Sequence, residues 1–482
     1  MIKTAPVAIS ELPAWADPPE AVEALYRDAL KSFSHKVIVL DDDPTGTQTV
    51  HGVPVYTDWS REAVLACFQD GAPVSYILTN SRGFTAMQTE LVHREIAVRI
   101  GEAAAQTGKD YVLIGRGDST LRGHWPLEMQ VLAEGLSQIE GRSFDGEVIL
   151  PAFMEGGRYT FGNIHYVKEG GWLVPVGQSE FAKDRTFGYQ SSALTDWCEE
   201  KTNGRYPAET CICVDLEEIR ALRVDEIAAQ LATARNFEKI IVNAVCYEDL
   251  KVFCAACVKA LREGKRFLFR TAASWVKVLG GIPDKDLLTH EELVSGTDFG
   301  GIILVGSYVN KTTRQLEMLR NSTLPLRYVE FRANLVRKAE CLQAEVDRVV
   351  SEAEECIRQG VTVVVYTSRD PVDTENLSKD EKLQMSVAIS GAVTSIVGRL
   401  QVRPAFIVAK GGITSSDVGV KALGVKRARV MGQILPGIPV WMIGEESKFP
   451  RMPYVIFPGN VGEDSTLLDA VSVLMEPAKN NT

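Results

Sequence analysis

No run of 18 consecutive apolar residues occurs in the 482-residue chain, so no membrane-spanning helix is expected. The opening MIKTAPVAISELPAWADPPE has no basic stretch leading into an apolar core, and so does not read as a secretory signal. Basic residues are in the minority: 52 Lys and Arg stand against 63 Asp and Glu, a formal charge of −11. Without a basic footprint, nucleic acids and anionic membranes are excluded as general partners, while a local pocket for a small anion is not. Histidine is scarce, six in all, with no pair at metal-ligand spacing. His51 and His124 lie near polar loops and could touch a ligand. The nine cysteines are odd in number. Cys211 and Cys213 sit in an apolar stretch, and Cys254 and Cys257 lie inside a helical pattern with no histidine or second pair beside them. They read as reduced, structural thiols of a cytoplasmic protein rather than as a zinc site or disulfide framework.

What is present is ordinary globular composition, 45% hydrophobic and 24% charged, in a chain long enough for two or three domains. Residues 1–35 read as an arm, rich in Pro and Ala over the first twenty and loosely docked, followed by a helix over 19–32. Short apolar runs then alternate with helical patterns. Strands are expected at 36–40, 74–79, 111–114 and 147–150, with helices over 85–106 and on to 136. The Gly-rich stretch 155–210 reads as loops or a small insertion. Alternation resumes at 211–214, 239–243 and 266–270. A polar stretch from 283 to 298 reads as a linker. A second series follows, with strands at 301–305, 361–366 and 405–409, a helix ending at Gly360, and another lined by Leu383, Val387, Val393, Ile396 and Leu400. This predicts an α/β protein of two domains, 36–285 and 298–482, each a mainly parallel sheet flanked by helices.

In such sheets ligands bind beyond the carboxyl ends of the strands. Three loops of the first half fall there. Asp41-Asp42-Asp43-Pro44-Thr45-Gly46 clusters carboxylates fit to act as a general base, to help hold a magnesium ion, or to orient hydroxyls. Arg82 and Arg116 each follow an apolar strand, where a guanidinium can hold a carboxylate in a fork. Asp118 can accept from a hydroxyl, and Ser119 can cap the next helix or donate to an anion. The second half offers Gly306-Ser307, then Gly411-Gly412-Ile413-Thr414 after Lys410, then Pro458-Gly459. Glycine lets backbone approach a ligand closely, and N–H groups at a helix start can cradle phosphate. Gly115-x-Gly117-x-x-Thr120 only grazes the dinucleotide fingerprint, and no Walker A sequence is present.

Taken in order, Asp42-Asp43-Pro44-Thr45-Gly46, Ser81-Arg82, Arg116 through Arg122-Gly123, Gly411-Gly412-Ile413-Thr414 and Pro458-Gly459 resemble the four-carbon acid sugar kinase family, from Lys36 onward. The resemblance implies an N-terminal domain that binds a sugar acid, a C-terminal domain that binds ATP, and an active site in the cleft between them. It implies transfer of phosphate to the terminal hydroxyl of an acid such as threonate, erythronate or 3-oxo-isoapionate, in carbohydrate catabolism. Asp43 or Asp42, Arg82, Arg116, Asp118 and Ser119 would then contact the acid. Ser307, Gly411, Gly412, Ile413, Thr414 and Gly459 would contact ATP, with Mg2+ bridging the phosphates. The general-base or hydroxyl-orienting role would fall to Asp43, Asp42 or Asp118. A homodimer is an open arrangement. Two other functions fit parts of this pattern: an NAD-dependent oxidoreductase of hydroxy-acids, which needs a complete glycine fingerprint, and a non-catalytic sugar-acid sensor, which needs no nucleotide site.

Overall fold

The computed structural model describes residues 5–13, 15, 18–294, 296–306, 310–369, 379–459 and 461–475. The chain divides into two compact units, one of residues 1–50 and 58–284, the other of 51–57 and 285–482.

The first unit is built on a parallel sheet in the order Ile212–Val214, Glu238–Val242, Gly146–Leu150, Phe267–Thr271, Tyr111–Arg116, Lys36–Asp41, Val74–Leu78. Its strands are nearly continuous Val, Ile and Leu, as burial on both faces demands. Lys36–Asp41 is buried along its whole length. Helices cover the faces and carry their own stop and start signals. Ser60 caps Arg61–Gln69 through the Ala63 N–H. Thr85 and Gln88 form a reciprocal box at the start of Ala86–Thr107, which ends at Gly108 in the left-handed region. The helix Glu20–Ser32 buries Val22 and Tyr26, and the Tyr26 hydroxyl donates to the Val278 carbonyl at 2.7 Å.

The stretch read as loops or a small insertion carries an antiparallel sheet, Arg158–Phe161, Ile164–Glu169 and Trp172–Pro175. Val7–Ala8 adds its edge strand, pairing with Leu173 and Trp172, so this part of the arm is docked by a ladder rather than loosely. The strands are short and their turns glycine-rich, which hides the alternation expected of a half-buried sheet.

The second unit has its own sheet. Leu326–Phe331, Thr362–Thr367, Ile302–Val305, Ile407–Lys410 and Pro453–Phe457 run parallel. Ile438–Ile443, Arg427–Leu435 and Pro54–Tyr56 continue it antiparallel. Its core includes Ile303, Val364, Val408, Ile438 and Val455. Leu288 and Leu293, from the polar stretch read as a linker, are buried in this core. Leu293 ends a short helix, His290–Leu293. All nine cysteines are free, and no described helix is long and apolar enough to cross a membrane.

Candidate functional site

In the first unit the three polar loops follow adjacent parallel strands, Val74–Leu78, Lys36–Asp41 and Tyr111–Arg116. Four of the expected residues touch directly. Arg82 donates from Nε and Nη2 to the two oxygens of Asp42 at 3.0 and 2.5 Å, and from Nη1 to Asp43 at 3.3 Å. Arg116 donates from Nη1 to Asp41 at 3.2 Å and to Asp42 at 3.4 Å. The fork of Arg82, expected to face a ligand carboxylate, is thus occupied by the chain's own Asp42. A partly buried guanidinium takes the nearest carboxylate rather than stay unpaired.

Asp43 caps the turn Pro44–Thr47, accepting from the Thr45 N–H at 2.9 Å and its hydroxyl at 2.6 Å. Burial works against the charge on Asp43, but Arg82 and Thr45 outweigh it and hold the carboxyl below its ordinary range. Asp118 is treated likewise. Burial would raise it, yet Arg82, Arg122 and Thr120 hold it well below the usual carboxylate range. Its closest ion pair is to Arg122 Nε at 2.7 Å.

Ser119 is not a helix cap: the next helix is Leu127–Glu140, with Pro126 before it. Instead, the loop is held by its carbonyls. Arg270 Nη2 donates to Asp118 O at 3.0 Å, His165 Nε2 to Ser119 O at 2.8 Å and the Tyr189 hydroxyl to Thr120 O at 2.6 Å. Three successive carbonyls are pinned by side chains from three separate segments. That fixes Leu121, a non-glycine residue at φ 66°.

Three groups of this site, Arg158, Arg270 and His165, were not in the expected set, and Asp41 was expected only as part of the first loop's acidic run. Asp41 is buried against Gly46, where a Cβ would run into its carboxylate. Burial raises it to about 7 against the pull of Arg116, while Asp42 and Asp43 push the same way as burial. Arg158 and Arg270 have no carboxylate partner among the described residues, and Arg158 Nε and Arg270 Nη1 lack any acceptor. Arg270 was visible as a charge near the end of an apolar strand. Arg158 gave no signal, coming from the unrecognised small sheet. His165 is fully buried between Thr160 Oγ1, at 2.9 Å, and Ser119 O. Burial first, then Arg158 and Arg270, lower its pKa to about 4.

The last value has a measurable sign. An unfolded histidine takes up its proton near pH 6.5, whereas folded His165 does so near 4. Between those values the unfolded chain holds the extra proton, so this residue's contribution falls as the pH drops, by about 3 kcal/mol at most. In urea melts, the stability advantage of the parent over His165→Gln is expected to narrow between pH 7 and pH 5. A constant difference would show that His165 is not buried neutral.

In the second unit, the turns after three adjacent parallel strands come together. A Cβ on Gly306 would meet Thr414 Oγ1 at 2.5 Å, so only glycine admits this approach. Gly411 has φ +125°, and its N–H donates to Phe457 O at 2.9 Å. It leads into the helix Gly412–Asp417, in which Thr414 is nearly buried. Gly459 O accepts from Thr312 Oγ1 at 3.2 Å. Ser307 and the side chain of Ile413, both expected here, lie outside the described residues. Among the described residues no three His, Cys, Asp or Glu group as a metal site.

The comparisons with known proteins fall on the same division. Residues 37–279 match the family described as a sugar-binding N-terminal domain, and residues 302–467 the one described as a nucleotide-binding C-terminal domain. No curated protein matches the chain. Among solved structures, a Haemophilus influenzae protein of the DUF1537 family is 17% identical with a TM-score of 0.59, over 91% of this chain and 100% of its own. A Salmonella typhimurium LT2 protein described as a candidate tRNA synthase is 15% identical with a TM-score of 0.61, over 90% of this chain and 98% of its own. A Bordetella bronchiseptica DUF1537 protein, a domain-swapped dimer with bound citrate, is 18% identical with a TM-score of 0.38, over 91% and 98%. With both domain families matched in order, over 37–279 and 302–467, the chain belongs to the DUF1537, or four-carbon acid sugar kinase, family.

Proposed function

We propose that the protein is an ATP-dependent kinase that phosphorylates the terminal hydroxyl of a small sugar acid of the threonate and erythronate class, or of 3-oxo-isoapionate. The observation that carries this reading is the knot of Asp42, Asp43, Arg82, Arg116 and Asp118 at neighbouring strand ends of a sugar-binding domain. Arg158 and Arg270 form no ion pair with a described carboxylate, and Arg158 Nε and Arg270 Nη1 have no acceptor, so these two guanidinium groups are the ones left to meet an anionic ligand.

Asp43 and Asp118 are both held in the ionised form. Carboxylates so depressed are weak bases but good acceptors. Their role in this reading is to orient the hydroxyl, which suits phosphoryl transfer, where positioning and charge compensation dominate. The spare N–H groups of the arginines receive the acid's carboxylate. In the second unit Gly411, Gly412, Thr414 and Gly459, with Ser307 and Ile413, receive the nucleotide's phosphates. The close backbone approaches and the hydroxyl of Thr414 fit a phosphate group. Mg2+, held in part by those phosphates, would offset the negative charge on the transferring group. The nine free cysteines fit the reducing cytoplasm, where we place the protein.

The test is ADP release from Mg-ATP across D- and L-threonate, D- and L-erythronate and 3-oxo-isoapionate, alongside melting curves with ADP and with each acid. One strong substrate is the expected result. Silence across the panel, with no shift in melting temperature by ADP, would sink the kinase reading. Silence with an ADP shift would keep the nucleotide site and move the search to other acids.

A further inference from the structure

One side chain of the second unit has no counter-ion among the described residues. Lys410 ends the strand Ile407–Lys410, flanked on both sides by parallel strands. It is fully buried. Its Nζ donates to the Pro458 carbonyl at 3.2 Å and lies 3.9 Å from the centre of the Phe457 ring. No described carboxylate forms an ion pair with it. An ammonium has three donors, and one neutral carbonyl and a ring face answer them poorly. Buried charges are normally paired, because losing water without gaining a counter-charge is expensive.

A second ammonium aggravates this. Lys311 stands in the first turn of the helix Asn310–Arg320 and donates to Gly462 O at 2.9 Å. Burial first, and then the nearby Lys311, lower the Lys410 pKa to about 7. The carbonyls that hold these lysines, of Pro458 and Gly462, both come soon after the strand Pro453–Phe457. Lys410 is also covalently next to Gly411, whose φ of +125° opens the Gly411–Thr414 turn. Two cations with only backbone acceptors, beside glycine turns, form a place that an anion would relieve.

We infer that Lys410, assisted by Lys311, is the phosphate-holding cation of the nucleotide site, its ammonium exchanging the Pro458 carbonyl for a phosphate oxygen of a nucleoside di- or triphosphate. The inference rests on the nucleotide-binding reading above and adds to it a residue that the glycine turns alone do not supply. A lysine retained only for packing predicts a different outcome from one retained for an anion. Methionine has similar length and no charge, so it satisfies packing and cannot bind phosphate.

The experiment uses full-length Lys410→Met and Lys410→Gln, with ADP, inorganic tripolyphosphate and adenosine as probes. Without ligand, Lys410→Met is expected to melt above the parent, since the uncompensated charge is gone. ADP affinity is expected to fall on the order of tenfold to a hundredfold, the worth of a hydrogen bond to a charged group. The rise in melting temperature with tripolyphosphate is expected to vanish, while any adenosine binding stays as in the parent. Should the methionine variant fail to fold, the glutamine variant, which keeps a donor for Pro458, reads the same loss. An ADP response of parental size in either variant overturns the inference alone. A parent that answers neither ADP nor tripolyphosphate overturns the inference and the nucleotide reading together.

Discussion

Arg82→Gln is expected to lower stability by about 3–5 kcal/mol, the cost of breaking a largely buried ion pair by removing one partner, and to bring the melting temperature down by roughly 10 °C. Arg82 is the hub of the first unit's polar cluster. It satisfies both oxygens of Asp42 through Nε and Nη2 and reaches Asp43 through Nη1. Asp42 is nearly buried, so its carboxylate cannot turn to water when the guanidinium goes. Glutamine restores one or two N–H donors and no charge, leaving two adjacent carboxylates with only Arg116 to offset them. In kinetics the same substitution is expected to raise KM for the acid far more than KM for ATP, because the loops it would disturb lie in the sugar-binding domain. The two measurements are a thermal melt and initial rates with each substrate varied. A melting temperature within about 2 °C of the parent would remove Arg82 from the role of charge compensator, and equal changes in both KM values would remove it from the acid site.

Gly46→Ala is expected to be as damaging for a different reason. The added methyl would occupy the space of the Asp41 carboxylate. Asp41 cannot give way cheaply: it is buried, it holds Arg116 Nη1 at 3.2 Å, and its backbone carbonyl accepts from Thr79 N at 2.9 Å. Either the carboxylate leaves Arg116 or the turn Pro44–Thr47 lifts, taking Asp43 with it. Overpacking of this kind costs about 1–3 kcal/mol and more where a charge is displaced. Low soluble yield or a sharply reduced melting temperature is the expected outcome. Gly83→Ala is the control, from the neighbouring loop. Nothing stands within 4 Å of a Cβ there and φ is not positive, so a change within about 0.5 kcal/mol is expected. If both variants melt alike, the contact between Gly46 and Asp41 does not constrain the loop.

These effects trace back to features that were unequally legible in the sequence. The strands 36–40, 74–79 and 111–114 announced themselves as apolar runs that end in polar loops, and the structure places strands at Lys36–Asp41, Val74–Leu78 and Tyr111–Arg116. Their adjacency made the contact of Asp42 with Arg82 and Arg116 a natural consequence of the pattern. What the pattern could not convey was the destination of each guanidinium. A loop motif shows that Arg82 stands at a strand end; only packing shows that Asp42 fills its fork. Arg158, His165 and Tyr189 were illegible because they act across the chain. His165 meets Ser119 and Tyr189 meets Thr120, and nothing local marks a residue whose partner is a distant backbone carbonyl. Lys410 did leave a trace, a lone cation in the apolar run Ile407-Val408-Ala409, but its meaning depends on the missing counter-charge.

The assignment of 51–57 to the second unit has a consequence for anyone who would divide the protein. Pro54–Tyr56 pairs with Ala428 and its neighbours on Arg427–Leu435, so the nucleotide-binding half is discontinuous in the gene. A fragment beginning at 285 carries every glycine turn of that half yet leaves Arg427–Leu435 with a bare edge, open to pairing with other chains. During synthesis the same arithmetic applies in time: Pro54–Tyr56 emerges early and waits for most of the remaining polypeptide before Arg427–Leu435 exists. The halves are separable by function but not by a single cut.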